Sequence, residues 1–222
     1  MIIRGGKSVY KKRDETKKIM QRLQLNEDLI STEQIRMIRT NIDQVSISDS
    51  VLLMVTSPRN EEQKSIISSK LAIAFVEQGK KVLLVDANLR KPSLNSLFQI
   101  KNENGLTNVI LDEENIQLYI KETFVPGLFV LPTGPIPLNP SEIWIASKVK
   151  EFVRNCVSEF DVVIIDAPPF LIASDSHILA NQCDGVILVL TENKTKKEDV
   201  LLTKDYLDRK NNRIVGVIYQ TG

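Results

Sequence analysis

The sequence predicts an α/β fold, a parallel β-sheet flanked by helices on both faces. Three observations carry that expectation. Short β-rich runs alternate with helical patterns, the runs are continuously apolar rather than alternating, and two of them end in an aspartate. Strand–helix alternation is the pattern of parallel strands joined by crossover connections. Unbroken apolarity fits strands covered on both faces, because a half-exposed strand would alternate.

The elements follow in order. Residues 51–56 (VLLMVT) form the first run, then a loop and an apolar helical pattern over 65–78, with Gly79 as its expected C-cap. Residues 81–86 (KVLLVD) and 128–132 (LFVLP) are the second and third runs. Residues 162–166 (VVIID), 186–190 (VILVL) and 214–219 (IVGVIY) complete the set. Helices are expected over 141–159 and 196–209, the former after a proline-rich loop from Pro132 to Pro140 and capped by Ser141 or Asn139. The domain organisation expected is a basic arm over 1–25 and a single domain over 26–222.

Bulk properties exclude several functions. The 222 residues carry 29 Lys and Arg against 28 Asp and Glu, so no global charge draws the chain to nucleic acid. The basic excess sits at the start, in Arg4, Lys7, Lys11, Lys12, Arg13, Lys17 and Lys18. Such an arm reads as a solvated tail or as a contact for an anionic leaflet or partner. No run nears the ~18 apolar residues of a membrane span, and the N-terminus lacks the apolar core of a signal peptide. A cytoplasmic location is therefore expected. Cys156 and Cys183 lack metal-ligand spacing and read as buried thiols. His177 and Trp144 read as helix-face and packing residues.

Residues 56–65 (TSPRNEEQKS) join the first strand to a helix and end in Lys64-Ser65, as a phosphate-binding loop does. Such a loop wraps backbone N–H groups around phosphates at a helix N-terminus, and glycines let the chain turn left-handed and the ligand approach. Here Glu61 and Gln63 stand at the glycine positions, and no glycine occurs between Gly6 and Gly79. Two unit charges about 4 Å apart repel by roughly 4 kcal/mol at an effective dielectric of about 20. Glu61 beside a polyanion therefore works against binding. Asp86 and Asp166 close their strands at the sheet end where ligands of such folds bind, and read together as a metal-linked pair.

With these motifs in place, the chain resembles the bacterial tyrosine kinases of capsule and exopolysaccharide operons, which have a P-loop fold, from about residue 31 to 219. Residues 33–42 (EQIRMIRTNI) resemble the family's E-x-x-R-x-x-R helix, implying that Glu33, Arg36 and Arg39 join subunits into a ring. Residues 80–92 (KKVLLVDANLRKP) resemble its second Walker segment, with Asp86 as base or orienting group and Asn88 in place of a second aspartate. Residues 162–169 (VVIIDAPP) resemble its Walker B segment, with Asp166 on Mg²⁺, and residues 134–142 (GPIPLNPSE) its proline-rich loop. The resemblance implies ATP and Mg²⁺ as cofactors. Lys64, Ser65, Gln63 and Glu61 would line the nucleotide, Ser65, Asp166 and Asp86 would hold the metal, and Lys64 and Asp86 would carry catalysis. It also implies a membrane-anchored activator of polysaccharide co-polymerase type, recruiting the chain to the inner face of the membrane.

The departures shift the expectation. The loop lacks both glycines, Ile66 replaces a common threonine, and Tyr10, Tyr119, Tyr206 and Tyr219 do not form the family's tyrosine-rich tail. The expected function is a pseudokinase that regulates polymerisation and export through assembly. The alternatives are an active ATP-dependent tyrosine kinase and a septum-positioning or partition ATPase. The last carries a signature lysine where this chain has Arg59.

Overall fold

The computed structural model describes residues 29–43, 50–59, 63–112 and 115–221. The basic arm over 1–25 and Glu61 lie outside them. The elements in chain order are α1 (Leu29–Asp43), β1 (Val51–Thr56), α2 (Lys64–Val76), β2 (Val82–Asp86), α3 (Leu94–Phe98), α4 (Leu106–Leu111), β3 (Lys121–Glu122) and β4 (Leu128–Leu131). They continue with α5 (Ala146–Val157), β5 (Val162–Asp166), α6 (Ser174–Ala180), β6 (Gly185–Thr191), α7 (Lys197–Arg209) and β7 (Ile214–Gln220).

All six expected strands form, in the order β3-β4-β2-β5-β1-β6-β7. Every pairing is parallel except that of β3, a two-residue antiparallel edge the sequence did not announce. The unbroken apolar runs have the expected cause. Leu52, Met54, Leu83, Val163 and Ile165 pack into one core layer, and Leu53, Val55, Leu84, Val162 and Ile164 into the other. Both faces of the central strands are thus covered.

Two expectations about helices need correction. The helix expected from 141 begins only at Ala146, after a 3₁₀ turn (Pro140–Ile143), and its N-cap Ile145 supplies no side-chain cap. The tight turn draws Ile143 and Trp144 into the core before the α-helix starts. The first core helix closes on Glu77, while Gly79 takes the left-handed turn (φ 82°) two residues beyond. Trp144 and Cys156 are buried, Cys183 is only half-buried where a buried thiol was expected, and His177, Phe170 and Tyr206 form a cluster in which each ring meets the other two.

Helix α1 lies against β7 and α2. Ile35, Ile38 and Ile42 form its buried stripe, at the three- and four-residue spacing of one helical face. The seat requires Gly216 on β7, because a Cβ there would stand 2.6 Å from Ile38 Cγ1.

Candidate functional site

The site forms where β1, β2 and β5 end together. Asp86 and Asp166 are register partners on adjacent strands, so both carboxylates emerge at the same level. The chain leaving β1 is stapled beneath them. Thr56 Oγ1 donates to the Pro168 carbonyl at 2.7 Å. The N–H groups of Phe170 and Leu171 donate to the carbonyls of Ser57 and Pro58 at 2.8 and 2.9 Å.

Gln63 ends the loop in the left-handed conformation, φ 60° and ψ 0°, and serves as N-cap of α2 without a side-chain cap. The left-handed turn is therefore made without a glycine, at a cost of about 1 kcal/mol for an L-residue. It delivers Lys64 as the first residue of α2, only 1% exposed, with Nζ donating to Asp166 Oδ1 at 2.7 Å. Ser65 Oγ donates to Asp166 Oδ2, and Ser68 Oγ reaches Oδ1 at 3.1 Å. Asp166 thus meets an ammonium and two hydroxyls, all from the first turns of one helix.

Asp86 has different partners. Its Oδ2 accepts the N–H groups of Ser93 and Leu94, both at 2.9 Å, and its Oδ1 accepts that of Asn88 at 3.3 Å. The carboxylate therefore holds the start of α3. Ser93 Oγ then donates to Ser65 Oγ at 2.6 Å, closing a polar circuit from β2 to β5. Burial first, and the Asp166 charge second, raise the Asp86 pKa from 3.8 to about 7, against the Leu94 and Ser93 N–H groups and Lys64. A carboxylate raised in the folded state binds a proton that the unfolded chain releases between those values. Its contribution is therefore present at low pH and lost as pH rises toward 7. The unfolding free energy of the wild type should fall by on the order of a few kcal/mol between pH 4 and 7, relative to Asp86→Asn. Parallel pH profiles of urea unfolding in the two proteins would contradict this.

Beside Ser65 and Ser93 opens a pocket of about 240 Å³, reached also by Gln63, Asn88 and Lys91. Asn88 is buried, so the missing second aspartate removes a charge from inside the site and not from its rim. Arg59 does not point at this pocket's serines. It pairs with Asp199 of α7 at 2.8 Å, in a separate basic recess with Lys194 and Lys196.

The sequence-chosen residues thus separate into groups. Lys64, Ser65, Asp166 and Asp86 come together, and Gln63 borders them. Glu33 and Arg36 face solvent and pair weakly with each other at 3.7 Å. Arg39 does not complete an exposed stripe with them, since its Nη1 turns inward to cap the Ala74 carbonyl of α2 at 3.0 Å. Sequence reasoning missed Ser68, Ser93 and Gln220. Ser68, four residues past Lys64 on one helical face, was within reach of periodicity; the others depend on chain crossings.

A hydroxyl and two buried carboxylates suit a hard cation, so the residues present fit Mg²⁺ through Ser65 and Asp166, with Asp86 behind. They fit a triphosphate less well. The left-handed position carries a side chain, Gln63, and the ammonium of Lys64 is already paired with Asp166.

The chain matches, over residues 62–200, a family model described as an AAA domain. It is 38% identical over 190 residues to a tyrosine-protein kinase, YwqD, of Bacillus subtilis (strain 168), covering 85% of this chain and 80% of that protein. Its structure resembles the crystal structure of the chimerical protein CapA2B2 at a TM-score of 0.79 and 30% identity, covering 87% and 85% of the two chains. It also resembles the septum site-determining protein MinD of Pyrococcus horikoshii OT3 complexed with Mg-ADP, at a TM-score of 0.66, 20% identity and 77% and 70% coverage. At that identity the last likeness speaks for the fold alone.

Proposed function

Since the chain belongs to the bacterial tyrosine-kinase family, whose members serve capsule and exopolysaccharide systems, we propose that it acts there as a pseudokinase. In this reading it regulates polymer production by assembling with itself and with a membrane-anchored activator, and its nucleotide site is weak or silent. The carrying observation is the state of Lys64. It is 1% exposed and ion-paired to Asp166 at 2.7 Å, beneath a loop turn built on Gln63. For Lys64 to meet a phosphate it must leave a buried carboxylate that has no other cation within the circuit described above.

Assembly would use α1. Glu33 and Arg36 offer an exposed charge pair to a neighbouring copy, and Met37 beside them is 62% exposed. Arg39, tied to α2, would set the angle of the helix. Among the described residues no helix is long and apolar enough to cross a membrane, so membrane contact would come through the activator or the basic arm.

Two observations favour the second reading, an active kinase. The left-handed turn at Gln63 and the convergence of Ser65 with Asp166 suit a helix start that receives Mg²⁺ and phosphates. In that case Lys64 would neutralise phosphate charge and Asp86 would orient the incoming tyrosine hydroxyl. Calorimetric titration with Mg-ATP separates the two. The pseudokinase reading expects no saturable heat below about 1 mM, a binding free energy weaker than about −4 kcal/mol. Micromolar binding accompanied by phosphotyrosine would replace it with the active kinase.

A further inference from the structure

A link joins α1 to the phosphate loop that the chemistry above does not use. Gln34, next to Glu33 on α1, engages both backbone groups of Tyr219. Its Oε1 accepts the Tyr219 N–H at 3.1 Å and its Nε2 donates to the Tyr219 carbonyl at 3.5 Å. The adjacent residue, Gln220, is 9% exposed and donates from Nε2 to Gln63 Oε1 at 2.8 Å. Gln63 in turn receives the first hydrogen bond of α2, from the Ile67 N–H to its carbonyl at 3.0 Å. The end of β7 cannot drift between these contacts, because the Gln220 carbonyl accepts the Glu192 N–H at 2.8 Å.

Three side-chain amides thus connect a surface helix, an edge strand and the residue before Lys64. A primary amide offers a donor and an acceptor, so Gln34 can grip one strand residue in a single register and Gln220 can pass that position on. A glycine at 63 would have nothing for Gln220 to hold. The contact exists only because of the side chain that departs from the family pattern.

We propose that Gln34, Gln220 and Gln63 form a relay coupling the seat of α1 on β7 to the setting of the phosphate loop. Whatever shifts α1, including association through its exposed face, then changes how firmly Gln63 and the start of α2 are held. The relay does not depend on nucleotide binding, so it can fail while the pseudokinase reading stands, and the reverse.

The Ile67 amide is the reporter, followed by NMR hydrogen exchange in the full chain, with the Val163 amide of β5 as control. Gln63→Ala and Gln220→Ala should each speed Ile67 exchange about fivefold, the factor one net hydrogen bond carries. The double variant should go no further than either alone. Gln34→Ala should act on Ile67 in the same direction, and Val163 should not respond in any variant. Unchanged Ile67 exchange in Gln220→Ala or in Gln34→Ala overturns the relay, as do additive effects at 63 and 220. Gln63 is exposed, so its variant keeps the test available should Gln220→Ala not fold.

Discussion

Replacing Lys64 with alanine is expected to destabilise the protein by about 3–5 kcal/mol, the usual cost of leaving one member of a buried ion pair alone. Lys64 is 1% exposed and Asp166 fully buried, so solvent screens little of their 2.7 Å contact. Without the ammonium, Asp166 keeps only hydroxyl donors, Ser65 and Ser68, and faces Asp86 at the same level of the neighbouring strand. Urea unfolding should show a lower midpoint at unchanged slope. Adding Asp166→Asn should bring the double variant closer to wild type than Lys64→Ala alone, since the stranded charge goes too. A Lys64→Ala protein within about 1 kcal/mol of wild type would mean that the pair is worth no more than one at the surface. The consequence is practical: a lysine knock-out in this chain reports folding before it reports nucleotide binding.

Most of the fold was legible in the sequence because the strongest physical signals are local. Six apolar runs, set between turns and helical patterns, read as strands, and two of them ended in aspartates that the register then brought side by side; only the edge run β7 departs from double cover, with Val217 and Tyr219 each 47% exposed. Lys64 and Ser65 were found because a strand, a loop and a helix start have to follow one another there. What stayed hidden depends on contacts between distant segments. Gln220 meets Gln63 across 157 positions, and no periodicity reaches that far. The inward turn of Arg39 was hidden for a related reason. Spacing puts Glu33, Arg36 and Arg39 on one side of α1, but the packing of α1 on α2 decides which of them finds a carbonyl. Helices α3 and α4, of five and six residues, are too short to show a helical period. The first is held by the Asp86 carboxylate, a partner its own sequence does not reveal. The structure therefore reassigns part of the role expected of Asp86, which buttresses a helix start whatever it does for a metal.

Restoring glycine at both loop positions, Glu61→Gly with Gln63→Gly, is expected to tighten Mg-ATP binding by about tenfold to a thousandfold. The two substitutions act through different physics. Removing Glu61 takes away a like charge, and that part of the gain should fade as added salt screens the site over a Debye length of about 8–10 Å. Replacing Gln63 leaves the turn at φ 60° with no side chain, which releases the strain of a left-handed L-residue and clears space for a phosphate. That part should be nearly indifferent to salt. Titrating the two single variants and the double at low and high ionic strength separates the contributions. The Lys64–Asp166 pair is left in place and the cost is the Gln220–Gln63 hydrogen bond, about 1 kcal/mol, so urea unfolding run beside the titrations tells a binding change from unfolding. If the double variant gives no saturable heat, the two loop positions are not what limits nucleotide affinity. The buried pairing of Lys64 with Asp166 would then be the barrier that limits affinity, one that glycines cannot remove.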